Sequence, residues 1–105
     1  MSRKQLFLTY KCIESKFKAN NSILNSYKRF NRTDIPTNLK QEQVELMELK
    51  KKFILDMAET FETHEIEAIF FYHLQRLTDS EIGDLYCVPA ETIIYILEKR
   101  DNLKM

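Results

Sequence analysis

Glycine occurs once in this sequence, proline twice and tryptophan not at all. So few turn formers leave little room for many-turned sandwiches and barrels, and abundant Leu, Ile, Lys and Glu point to helix instead. No run of about 18 apolar residues occurs, so no membrane span is expected. The start, Met1-Ser2-Arg3-Lys4-Gln5, is basic, but polar and charged residues follow too soon for a secretory leader. There are two cysteines, Cys12 and Cys87, and two histidines, His64 and His73, and their spacing suits no zinc site. Free thiols in a reduced, cytoplasmic protein are the expectation, with a Cys12–Cys87 bridge as the alternative. No phosphate-binding loop, dinucleotide fingerprint, H-E-x-x-H run or calcium loop is present, and no nucleophile stands with a base and an orienting group. Neither enzymatic activity nor a cofactor is expected.

Net charge is also lacking, since sixteen basic residues balance sixteen acidic ones. The balance is uneven along the chain. Residues 1–40 carry nine basic and two acidic side chains, and residues 41–105 carry seven basic and fourteen acidic ones. Such asymmetry points to a nucleic-acid or other electrostatic partner for the basic half, or to two halves that neutralise each other in the fold.

What is present is helical periodicity. Leu6, Tyr10, Ile13, Phe17, Asn20, Leu24 and Tyr27 follow alternating four- and three-residue steps, a heptad seam on one long helix from Arg3 to Phe30. Asn20 is its one polar member and could fix register in a homodimer. Asn20-Asn21-Ser22 could instead break the helix, because all three favour caps and turns. The seam needs a cover, either the next helix or a second subunit. Asn31 to Asn38 reads as a loop around Pro36. A second helix follows from about Asn38 to Phe61, with Leu39, Leu46, Leu49, Phe53, Met57 and Phe61 as its stripe, widened by Met47 and Ile54. Lys50-Lys51-Lys52 reads as a solvated face. Thr63 is the expected cap of a third helix that buries Ile66, Ile69, Phe70, His73 and Leu74, while His64 stays exposed.

The stretch from Leu77 to Leu97 has the marks of a helix-turn-helix. Thr78 and Glu81 form a capping box, and Ile82, Leu85 and Tyr86 give the first short helix a buried face. Gly83 sits inside that helix, where glycine costs roughly 1 kcal/mol against alanine, so a close helix–helix contact is expected there. Pro89 suits the first position of a second helix, whose buried face is Ile93, Ile96 and Leu97. Its exposed face reads Glu91, Thr92, Ile94, Tyr95 and Glu98 before Lys99 and Arg100. Two short helices joined by a short turn make the motif that reads DNA.

On these residues the chain resembles the C-terminal promoter-reading region (region 4) of bacterial sigma factors. The matching pattern is Leu77, the cap Thr78, Glu81-Ile82-Gly83, Leu85-Tyr86, Cys87, Val88, Pro89 and Thr92-Ile93. Glu65 to Leu77 matches the helix that precedes the motif in that family. With the long helix ahead of it, the chain is similar to small phage late-transcription regulators of the RinA and ArpU type. The resemblance implies a left-handed backbone at Cys87, where the family carries glycine, and room for alanine at Gly83. It also implies promoter DNA as partner, with Pro89 to Lys99 in the major groove. Thr92, Tyr95, Lys99 and Arg100 would then face bases or phosphates, and Thr78 and Ser80 would touch the backbone. The acidic second half leaves most phosphate contacts to the basic half, with Lys28, Arg29 and Arg32 expected, together with Arg3 and Lys4.

The expected architecture is all-α: a long helical hairpin over residues 1–61, carrying the basic helix and a possible dimer surface, then a compact three-helix unit over residues 62–105. A second reading keeps the sigma-like fold but gives it a protein partner, RNA polymerase or a related transcription factor. Glu91 and Glu98 flanking Ile94 and Tyr95 suit a protein groove better than phosphates.

Overall fold

A computed structural model describes residues 2–30 and 33–103, with side chains to Lys99. The described residues form five helices and no strand: α1 Arg3–Arg29, α2 Thr37–Glu59, α3 Thr63–Leu74, α4 Asp79–Tyr86 and α5 Ala90–Leu103. The all-α expectation holds. Helices α1 and α2 form a hairpin, and α3 to α5 pack at one end of it, giving an elongated body of 51 × 28 × 26 Å.

Helix α1 starts at a capping box that the sequence reading passed over. Gln5 N–H donates to Ser2 Oγ at 3.2 Å, and Ser2 N–H donates to Gln5 Oε1 at 2.9 Å. The helix then runs unbroken through Asn20-Asn21-Ser22. Tertiary partners explain why. Asn20 Nδ2 donates to Glu42 Oε1 at 3.1 Å, and Asn21 Oδ1 accepts from Gln43 Nε2 at 2.8 Å. Amides held across the hairpin no longer compete for their own backbone. Helix α2 therefore packs along the heptad seam, whose Leu6, Tyr10 and Asn20 are buried and whose Ile13, Phe17, Leu24 and Tyr27 are half-buried, while α2 buries Gln43, Leu46 and Met57.

One apolar core joins the hairpin to the following helices. Leu6, Tyr10, Met57 and Phe61 pack with Ile69, Ile82, Val88, Ile93, Ile96 and Leu97. Arg3 fastens the start of α1 to this end. Its guanidinium meets the Glu65 carboxylate in a bidentate pair at 2.8 and 2.9 Å and donates to Thr60 O at 3.1 Å. It also lies 4.0 Å from the centre of the Phe61 ring. The Phe61 and Tyr86 rings in turn meet edge to face at 5.4 Å.

Several sequence expectations shift at helix ends and faces. Glu62, not Thr63, is the residue that caps α3, and its N–H donates to Glu65 Oε1 at 3.1 Å. His73 and Leu74, expected inside, are exposed, as is Leu85. Helices α3 and α4 lie at the edge of the body, so each buries a narrow stripe: Ile69 fully on α3, and Ile82 and Gly83 on α4. His64 is exposed, as expected. Helix α3 ends at Arg76 in a left-handed conformation, φ 67°. Arg76 N–H donates to His73 O and Leu77 N–H to Tyr72 O, the paired bonds of a Schellman stop.

Candidate functional site

The turn between α4 and α5 is built as the motif requires. Thr78 Oγ1 accepts from Glu81 N–H and Glu81 Oε1 accepts from Thr78 N–H, both at 3.1 Å. Those bonds hold the Glu81 carboxyl below its usual range. Cys87 adopts φ 57°, ψ 50°, the left-handed conformation expected of it. Its reversal lets Val88 N–H donate back to Gly83 O at 3.0 Å. A side chain on Gly83 would put its Cβ 2.6 Å from Val88 O and 3.4 Å from Pro89 C. The close contact expected at Gly83 is thus made by the turn backbone and the entry to α5. Alanine, which the resemblance implied would fit, meets backbone that must shift to admit it.

Helix α5 packs against α2, α3 and α4 together, so its buried face is wide. It takes in Ile93, Ile96 and Leu97, as expected, and also Thr92. Thr92 is 0% exposed, and its hydroxyl has no hydrogen-bond partner among the described residues. The expectation that Thr92 faces bases is corrected: it faces the core. Glu91, Glu98 and Lys99 are exposed, Ile94 is 39% exposed and Tyr95 is half-buried. Lys99 Nζ lies 5.9 Å from the centre of the Tyr95 ring. Thr78 and Ser80 are exposed at the start of α4. Arg32 and the Arg100 side chain lie outside the described residues.

The electrostatics of the motif are acidic. Residues 62–105 carry nine acidic and four basic side chains. The expected phosphate set is scattered by the fold. Lys28 and Arg29 are exposed, but they lie at the far end of α1, about 25 Å along the helix from Lys11. Arg3 is committed to Glu65, and its hydrogen bonds are the main cause that depresses the Glu65 pKa.

A neighbour that the sequence reading did not identify stands beside the motif. Phe7, Tyr10, Lys11 and Glu14 of α1 form one wall of a cleft. Ser80 and Asp84 of α4, with Val88, Pro89, Ala90 and Glu91, form the other. Tyr10 is buried and donates its hydroxyl to Glu14 Oε2 at 3.3 Å. Burial first, then the Glu91 and Glu14 carboxylates, push its phenol far above the ordinary value. Nothing local in residues 7–14 announces this contact, because the partner lies some 70–80 residues further on.

No protein-family model, curated protein or solved structure matches this chain. Any functional reading therefore rests on the residues and geometry above.

Proposed function

We propose that this chain is a transcription regulator of phage or mobile-element type that engages DNA through the α4–turn–α5 motif. The observation that carries the reading is the turn itself. A left-handed residue at Cys87, a Cβ-free contact at Gly83 and a hydrogen-bonded cap at Thr78 hold two short helices in a helix-turn-helix. In this arrangement the first two turns of α5, with Ala90, Glu91, Ile94 and Tyr95, approach the groove. Thr78 and Ser80 meet backbone, and Lys99 stands further along α5. The cytoplasm is the setting that suits two free, exposed thiols.

One observation favours a second reading. The exposed face of α5 displays Glu91, Ile94 and Glu98, a surface that repels phosphate and fits an apolar groove with basic rims. In that reading the partner is RNA polymerase or another transcription factor, and transcription is modulated without reading DNA.

The deciding experiment is fluorescence anisotropy of the purified chain with labelled duplexes of mixed sequence, at low and high salt. Binding at low salt that weakens as salt rises supports the first reading. In that reading Tyr95→Ala relaxes sequence preference. Absence of binding at low salt, with Tyr95-dependent capture of polymerase, would reject the first reading and favour the second.

A further inference from the structure

The charge problem of the motif has a structural answer on α1. Seven basic side chains and one acidic one lie on this helix. Its outermost stripe runs Lys4, Leu8, Lys11, Ser15, Lys18, Ser22, Asn25 and Arg29, in alternating four- and three-residue steps, and every member is exposed. Four of the eight are cations and none is an acid. The outer stripe of α2 is different in kind: Gln41, Glu45, Glu48, Lys52, Leu55 and Glu59 are exposed, and they carry three acids against one lysine. A stripe whose only charges are basic is thus found on α1 and not on the matching face of α2.

The fold sets this stripe next to the motif. Lys11 lines the cleft shared with Ser80, Pro89, Ala90 and Glu91, the edge where α4 begins and α5 begins. Lys4 and Lys18 follow seven residues to either side, so the three backbone positions repeat about every 10 Å along the axis. That step is comparable to the roughly 12 Å width of the major groove, and lysine arms reach several ångströms further. None of the three is locked in place. Lys11 lies over the Phe7 ring at 5.2 Å, and Lys18 makes one exposed contact to Glu14 at 3.6 Å, a kind of pair that contributes little.

We propose that Lys4, Lys11 and Lys18 form a phosphate-contact rail that grips the backbone of the duplex the motif approaches. This rests on the DNA-binding reading above. In it the acidic motif is not asked to neutralise phosphates. The neighbouring helix does so, with no sequence preference of its own, and offsets the repulsion from Asp84 and Glu91 in the cleft. The rail replaces Lys28 and Arg29 as the principal phosphate contacts.

The test is the salt dependence of duplex binding by the full chain, its Lys4→Gln/Lys11→Gln/Lys18→Gln variant, and a control with the same charge change, Lys28→Gln/Lys51→Gln/Lys52→Gln. All six lysines are exposed, so both variants should fold, and their helical circular dichroism checks it. Each phosphate contact contributes about −0.9 to the log–log slope. The rail variant is expected to flatten the slope by about 2–3 and to weaken every duplex alike, and the control by less than about 1. Equal flattening in both variants would overturn the rail, because net charge alone would then explain it. An unchanged slope in the rail variant, with the parent still binding in a salt-dependent way, would overturn the rail and leave the DNA reading intact. A parent that binds no duplex at low salt would overturn the DNA reading, and the rail with it.

Discussion

The two ends of the molecule are held together by different chemistry. At the end where α3, α4 and α5 pack, one apolar core gathers residues from all five helices, and Arg3 fastens the chain start over it. At the other end only α1 and α2 remain. There the hairpin is joined by polar contacts: Asn20 to Glu42, Lys16 to Glu42 at 3.2 Å, and Gln43 to Asn21 and to Phe17 O. Phe17, Leu24, Val44 and Met47 line an open groove, and Val44 is 57% exposed. Stability therefore concentrates beside the motif. The far end is an extension set in register by amides, because polar pairs specify alignment more than they stabilise.

The sharpest way to break that contrast is to truncate one methionine at each end. Met57 is 0% exposed, and Met57→Ala is expected to cost about 2–5 kcal/mol. Met47 is 41% exposed, and Met47→Ala is expected to stay within about 0.5 kcal/mol of the parent in chemical denaturation. Similar losses at both positions would mean that the far end is also covered. Next in size is Gly83→Ala. The 2.6 Å approach to Val88 O forces a backbone shift of the overpacking kind, about 1–3 kcal/mol, against which alanine recovers up to about 1 kcal/mol of helix propensity. A net loss with a disturbed motif is expected, and a variant more stable than the parent would remove the close contact.

Smaller changes sharpen the account of the turns. Cys87 and Arg76 both hold positive φ without being glycine. Replacing either with glycine is expected to stabilise by up to about 1–2 kcal/mol, read as a melting midpoint higher by roughly 4–8 °C per kcal/mol. Thr92→Val removes a buried hydroxyl that lacks a partner while nearly keeping its shape. A gain of about 1 kcal/mol is expected, with sequence preference on DNA unchanged. A loss of preference instead would put Thr92 back on the reading face.

The smallest expected effect is on acid stability. The Glu65 carboxyl is depressed chiefly by its hydrogen bonds to Arg3, with burial opposing. A depressed carboxyl stabilises the fold fully above the unfolded pKa of about 4.3, and the contribution is lost as pH falls through the folded value. Glu65→Gln is therefore expected to lower the midpoint at neutral pH and to lessen its fall below about pH 4. Identical pH profiles for parent and variant would show that the Arg3 clamp does not stabilise the folded chain.

Much of this was legible in the sequence because the signals were local. Thr78 with Glu81, the lone Gly83, Cys87 at the turn and Pro89 before α5 fall within twelve residues, and each element end is fixed by near neighbours. The heptad spacing likewise revealed the α1 seam. Long-range partners were harder to read. The seam did not say how far α2 would cover it, and the Asn20–Glu42 and Asn21–Gln43 pairs that keep α1 whole join residues 22 apart. The period of α5 marked Ile93, Ile96 and Leu97 as core. Thr92 joined them because three helices surround α5, a fact no period carries. The cleft between α1 and the motif joins Lys11 to Ser80 and Glu91 across most of the chain, and no motif in either segment foretells it.

The central claim is that the motif and the adjoining flank of α1 meet DNA as one surface. Amide chemical-shift mapping of the isotope-labelled chain, titrated with duplex DNA at low salt, tests it most directly. Shifts are expected at Lys11, Ser80, Ala90, Glu91 and Tyr95, with Val44 and Met47 at the far end of the hairpin unmoved. Shifts centred on Val44 and Met47, or no shifts at saturating duplex, would contradict it.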